Sequence, residues 1–229
     1  MRGIHRAGRD RPRRAQAPCR RRWPVSRAAS FPGRCAGREP RSRATIQAFV
    51  EASSAACVRV CDVNLRMPFC SAEVLRWCLR QATVLKVSDE ELAAVGALLG
   101  DEAIGLGAAM SGADLTGSAL TEAAARAAQA LLAQAPQCRL VAITLGPHGS
   151  LLANRAGVSR HAGFKVEVAD TIGAGDAFTA GLVHAYVRGA TLEQINTVSN
   201  LCGSYVASQQ GATPELPEAL VARIAEELG

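Results

Sequence analysis

The chain has 229 residues, 48% hydrophobic and 20% charged, with mean hydropathy +0.08, which suits one or two packed cores and excludes collagen, coiled coil and wholesale disorder. Its formal charge of +6 is unevenly spread: residues 1–43 hold fourteen Arg against Asp10 and Glu39, a net of +12, and residues 44–229 hold twelve basic and eighteen acidic groups, a net of −6. There is no run of 18 apolar residues to span a membrane, and the Arg-rich start lacks the apolar core of a secretory signal.

Residues 1–43 mix Arg, Pro, Gly and Ser at no helical or strand period and are expected to form a disordered leader, with the packed domain spanning 44–229. Three readings of the leader stay open: an organellar transit peptide, a nucleic-acid arm without the usual aromatic ladder, or a stray reading frame fused to a real domain. Beyond it the texture becomes ordered alternation. A helix is expected over Thr45–Ala56 and a buried strand over Val58–Val63, ending in Asn64. Next come a helix from Ser71 to Ala82 and a short strand over Thr83–Val87. Ser88 and Glu91 form the S-x-x-E capping box of a helix reaching Leu99. Gly100–Gly117 reads as a loop, Thr121–Ala135 as an Ala-rich helix, and Leu140–Leu145 as a strand apolar enough for the middle of a parallel sheet. Two short strands flank a turn signal at Asn154–Gly157, and Val166–Val168 leads as a strand into Asp170. Helices near 174–188, 191–209 and 217–228 close the chain. The fold class is therefore α/β: a doubly wound, mostly parallel sheet flanked by helices, with ligands expected at the carboxyl ends of its strands. Eight cysteines without a C-x-x-C or zinc spacing predict free thiols in a reducing cytoplasm. An organellar location follows instead if residues 1–43 are a transit peptide.

The segment Asp170-Thr171-Ile172-Gly173-Ala174-Gly175-Asp176-Ala177-Phe178 carries the most chemistry. Small residues at a helix start let a ligand approach the backbone, and the unpaired N–H groups of the first turn face an anion. An Asp there repels a bare phosphate, yet serves as a base that takes a hydroxyl proton beside a transferring phosphoryl group. A capping role explains one Asp; it does not explain two, six residues apart, around small residues. No G-x-x-x-x-G-K-[ST] occurs, and the glycines do not complete a dinucleotide fingerprint. His148 and His161 lack a partner carboxylate at motif spacing and read as surface or turn residues.

This segment resembles the D-T-x-G-A-G-D signature of the PfkB carbohydrate kinase family, which includes ribokinases, fructokinases and adenosine kinases. The resemblance implies that Asp176 is the catalytic base and that the amides of Gly173, Ala174 and Gly175 form an anion hole for the γ-phosphate of ATP. It also implies that Asp170, the Ile172 carbonyl and the Gly211 turn hold a monovalent cation, K⁺ in ribokinase-like members. Asp62-Val63-Asn64-Leu65-Arg66 resembles the D-x-N-x-R strand end, whose Asn contacts the nucleotide phosphates. Thr144-Leu145-Gly146-Pro147-His148-Gly149 resembles the T-x-G-x-x-G turn of the ATP site. Asn200 falls where the family lines the adenine pocket, and a polar helix position is the alternative reading of it. Ser88-Asp89-Glu90-Glu91 stands in place of N-x-x-E, with Glu91 as the residue that holds Mg²⁺ through water.

The resemblance covers roughly residues 41–229, the later part of a family member. The family's G-G-x-x-x-N sugar motif, the Asp that grips the sugar hydroxyls and the β lid, which commonly pairs protomers into a homodimer, do not occur in residues 1–43. The expectation is an ATP-dependent sugar kinase, most like fructokinases, retaining the nucleotide half of the site but with a damaged sugar half. A nucleotide-binding remnant without turnover is the alternative, and nucleic-acid binding through the basic start ranks last.

Overall fold

The computed structural model describes residues 28–32, 40–65, 70–105 and 117–229. Six strands form one sheet in sequential order: β1 (Ala28–Pro32), β2 (Val58–Asp62), β3 (Val84–Ser88), β4 (Leu140–Thr144), β5 (Ser150–Ala153) and β6 (Val158–His161). Strands β1 to β4 run parallel; β5 and β6 are antiparallel additions. Helices α1 (Pro40–Ala52), α2 (Ala72–Gln81), α3 (Asp89–Leu99) and α4 (Ser118–Gln134) fill the connections between parallel strands, as parallel pairing requires. Helices α5 (Ala174–Val187), α6 (Leu192–Ala207) and α7 (Glu218–Leu228) follow the sheet.

Strand alternation sends side chains to two separate cores. Cys61, Leu85, Val87, Val141, Ile143 and Leu151 join the buried residues of α2, α3 and α4 on one face. Val60, Val84, Leu140, Ala142 and Leu152 pack against Phe178, Leu182, Val198 and Ile224 of the last three helices on the other. The second core is the smaller, and it contains a buried polar knot. Asn196 accepts from Ser150 Oγ (2.6 Å) and donates to the Ser159 carbonyl (2.9 Å), and Asn200 Nδ2 donates to Ser150 Oγ (2.7 Å).

Two differences from the sequence reading stand out. Within the expected leader, Ala28–Pro32 pairs in parallel with β2, and α1 begins at Pro40, where a proline suits a first helical position because that N–H needs no partner; the domain edge at residue 44 thus falls inside α1. No strand forms over Val166–Val168: residues 162–170 are irregular, and the amides of Ala169 and Asp170 donate to the Ala207 carbonyl at the end of α6 (2.9 and 3.2 Å). Arg66 of the strand-end motif and residues 106–116 of the Gly-rich loop lie outside the described residues. No described helix is long and apolar enough to cross a membrane.

Candidate functional site

A cleft of about 650 Å³ opens at the carboxyl ends of β3 and β4, bounded by the starts of α3 and α5, the β4–β5 turn and one face of α6. Of the residues expected to bind ligand, it brings together Thr144, Gly146, Gly149, Ala174, Gly175 and Asn200. Its lining does not include Asn64, Glu91, Asp170, Ile172, Gly173, Asp176 or Gly211, and each of these has a defined place around it.

Gly173 is the N-cap of α5, with φ 83° and no side-chain cap. A Cβ there would lie 2.3 Å from the Ala212 carbonyl oxygen, so only glycine fits against the 211–212 turn. The amide of Ala174 donates to Thr171 O (3.2 Å) and that of Ala177 to Gly173 O (2.9 Å). Among the described residues the amides of Gly173, Gly175 and Asp176 have no backbone acceptor, so this helix start keeps donors free for an anion, among them two of the expected trio. Asp176 is exposed in that turn. Asp170 ties the neighbouring loops together, accepting from Ile172 N (2.9 Å) and Gly211 N (3.3 Å), so its carboxylate is turned to backbone amides.

Asn64 takes φ 40° just beyond β2, a conformation Asn tolerates better than most non-glycine residues. The next amide, Leu65 N, donates to Glu91 Oε1 at 2.6 Å, and Glu91 Oε2 accepts from Ser88 N (2.9 Å) and Ser88 Oγ (3.0 Å). Glu91 therefore clamps the strand end to the α3 cap, and the carboxylates that line the cleft are those of Asp89 and Glu90. Burial raises the Asp89 carboxyl above its ordinary pKa, partly offset by the Glu90 amide.

The turn after β4 is held by Leu145 N on Gly149 O (2.8 Å) and by Arg160, whose guanidinium donates to Ser150 O (3.2 Å), His148 O (2.5 Å) and His161 O. Gly149 has φ 82°, and a Cβ would lie 2.2 Å from His161 O, so glycine is again required. Asn200 is 5% exposed and lines the cleft, with its amide nitrogen spent on Ser150 and Asn196.

Sequence reasoning missed Lys86. It stands beside Asp62 in parallel register, and the two buried side chains form an ion pair of 3.1 Å. Thr179 of α5 shares its single hydroxyl proton between Gly175 O (3.0 Å) and Asp62 Oδ2 (3.1 Å). Burial raises the Asp62 carboxyl above its usual range, with Lys86 and Thr179 pulling it back. The cysteine expectation concerns six described residues, Cys57, Cys61, Cys70, Cys78, Cys138 and Cys202, all of them free thiols. Among the described residues no group of three His, Cys, Asp or Glu is placed to hold a metal ion.

Residues 39–219 match the family described as "pfkB family carbohydrate kinase". Fructokinase-2 of Solanum lycopersicum is 30% identical over 193 residues, 79% of this chain and 52% of that protein. A sugar kinase of Pyrococcus horikoshii, solved with ATP, superposes with TM-score 0.65 at 25% identity over 89% of this chain and 60% of that one. Fructokinase of Vibrio cholerae, solved with fructose, ADP and calcium, superposes with TM-score 0.61 at 25% identity over 85% of this chain and 59% of that one. The chain spans about half the length of the curated fructokinases it matches.

Proposed function

Because the chain belongs to the pfkB family of carbohydrate kinases, we infer that it binds ATP in this cleft and transfers the γ-phosphoryl group to a sugar hydroxyl, with fructose as the first candidate acceptor. One observation carries the reading: the uncapped start of α5 and the glycine turn after β4 face each other across a single cleft at the carboxyl end of a parallel sheet. Adenine would lie against Asn200 and Gly203, and the phosphates would run toward Gly175 past Thr144 and Gly146. The amides at the α5 start stabilise charge on the phosphoryl group, and Asp176 accepts the proton of the attacking hydroxyl.

The residues fit a magnesium ion that arrives on the nucleotide. Asp89 and Glu90 line the cleft, and Mg²⁺ typically keeps its waters and takes one or two carboxylates together with substrate phosphates. Bound there, it would offset charge on the β- and γ-phosphates, and Glu91 would shape the site by fixing Ser88 and Leu65. A K⁺ ion would sit at the Asp170–Ile172–Gly211 loops and stiffen the start of α5. Free thiols favour a reducing cytoplasm, and a homodimer is the assembly we propose.

The test is ATP-dependent phosphorylation of a panel of sugars and nucleosides, run with the full chain and with Asp176→Asn. Equal turnover by both refutes the assigned base. A second reading, ATP binding without transfer, draws on the exposure of Asp176 outside the cleft lining. It predicts nucleotide binding by calorimetry with no product from any acceptor.

A further inference from the structure

The chain has two lysines among its 26 Lys and Arg residues, Lys86 and Lys165, and both line the cleft. Lys165 is exposed, whereas Lys86 is 7% exposed. Strand alternation puts Lys86 on the α5 face of the sheet, in line with Val84, so its side chain emerges below the start of that helix. Its ammonium lies 3.4 Å from where a Cβ on Gly175 would stand. The absence of a side chain at Gly175 therefore leaves the ammonium open to the place where the Gly175 amide meets an anion.

The donor count makes this position more than an ion pair. An ammonium carries three N–H donors, and among the described residues Lys86 Nζ spends one, on Asp62 Oδ1. Leaving polar donors unmet in a buried place is costly, and burying a cation with one carboxylate gains little over an apolar pair of the same shape. Asp62 is itself held from its other side by Thr179, which fixes the pair to the α5 backbone at Gly175. The arrangement keeps a compact positive charge beside the anion-binding amides with donors still to give. A phosphoryl group can accept those donors without the Asp62 contact breaking.

We propose that Lys86 is a phosphate-binding residue of the cleft: aimed by Asp62 and Thr179, it donates to the terminal phosphoryl group of a nucleoside triphosphate seated at the Gly175 amide. This rests on the reading of the cleft as an ATP site. It makes the β3 lysine the group that distinguishes ATP from ADP, and it gives Asp62 a positioning role.

Calorimetry of ATP and ADP binding to the full chain tests it, with Asp62→Asn and with the double variant Asp62→Asn/Lys86→Met, which removes both charges and leaves no buried ion alone. Loss of a charge-assisted phosphate contact should weaken ATP binding about tenfold to a hundredfold in the double variant beyond Asp62→Asn, and ADP binding less than about threefold. A double variant that binds ATP as tightly as Asp62→Asn overturns the proposal and leaves the ATP reading standing. Wild-type protein that binds neither nucleotide removes that reading, and the proposal with it. Nuclear magnetic resonance of wild-type protein labelled at lysine is independent of how the variants fold. Two side-chain signals are expected, assigned by Lys165→Arg; ATP should move that of Lys86 more than ADP does, and an unmoved signal at saturating ATP overturns the proposal.

Discussion

The cleft is flanked by two helix starts that solve the same problem in opposite ways. At α3 the chain satisfies its own helix terminus: Ser88 and Glu91 are joined, Asp89 caps the Glu90 amide at 3.0 Å, and three carboxylates in the first turn complement the dipole. At α5 the N-cap is Gly173, no side chain caps the turn, and the amides of Gly175 and Asp176 are left facing outward. A terminus that completes itself contributes stability, and one left incomplete at a strand end is available to an anion. One cleft thus joins a carboxylate wall suited to a metal-bound nucleotide and an amide wall suited to phosphate, with Lys86 emerging between them.

If this contrast is right, changes at α5 fall on activity and changes at α3 fall on stability. The largest effect is expected from Asp176→Asn, with turnover reduced about 10²- to 10⁴-fold, as for the loss of a general base, and the melting temperature nearly unchanged. Steady-state kinetics beside thermal melts separate the two, and a fall in melting temperature matching the activity loss would make Asp176 a fold residue instead. Gly173→Ala is next. Its methyl meets backbone 2.3 Å away at a positive φ, so the 211–212 turn must move; this α5 change is expected on both readouts, with ATP affinity lost in calorimetry and stability lowered by an amount on the order of 1–3 kcal/mol. Glu91→Ala strips acceptors from Leu65 N and Ser88 N and should cost about 2–3 kcal/mol in denaturant melts, most of it as stability. Should Glu91→Ala instead abolish Mg²⁺-dependent turnover at unchanged stability, the carboxylate acts on the metal and the contrast between the helix starts fails.

The α5 start was legible in the sequence because its requirements are local: small residues where backbone must approach a ligand, an Asp beside them, and a helix beyond. The parallel strands β2 to β4 were legible for the same reason, since runs such as Leu140–Thr144 are apolar on both faces, whereas β1 lies within the stretch read as a leader. Lys86 was hidden because its role depends on register. Within Val-Leu-Lys-Val-Ser it is one polar residue in an apolar strand, and only the parallel pairing places it beside Asp62, 24 residues earlier. Val166-Glu167-Val168 shows the converse failure: it alternates like a strand, yet the backbone just beyond it bonds to the end of α6 rather than to a sheet neighbour. Glu91 was readable as a cap and as a residue that holds Mg²⁺ through water, and what the sequence did not show is the reach of Leu65 N across from β2, a contact invisible to local spacing.

The smallest expected effect concerns the third wall, where the rim depends on a group that titrates near neutrality. Gly163 N donates to His161 Nδ1 at 3.0 Å, so the imidazole must be neutral at that nitrogen with its proton on Nε2. Burial, and then the Arg160 charge, lowers the His161 pKa below its ordinary value of about 6.5, and burial lowers that of His184 as well. A depressed folded-state pKa means that the unfolded chain takes up protons first as the solution is acidified. The stability these groups contribute is therefore present above about pH 6.5 and is lost as pH falls through their lower folded values. Both side chains are substantially open to solvent, so the loss should be modest. Melting temperatures between pH 8 and pH 5.5 should decline toward acid, and His161→Gln should flatten part of that decline. Because Gly163 lines the cleft against Gly149, ATP affinity should weaken over the same interval in the wild type. An affinity that stays level while stability drops would confine His161 to the fold and leave the α5 start, with Lys86 below it, as the part of the cleft that senses the nucleotide.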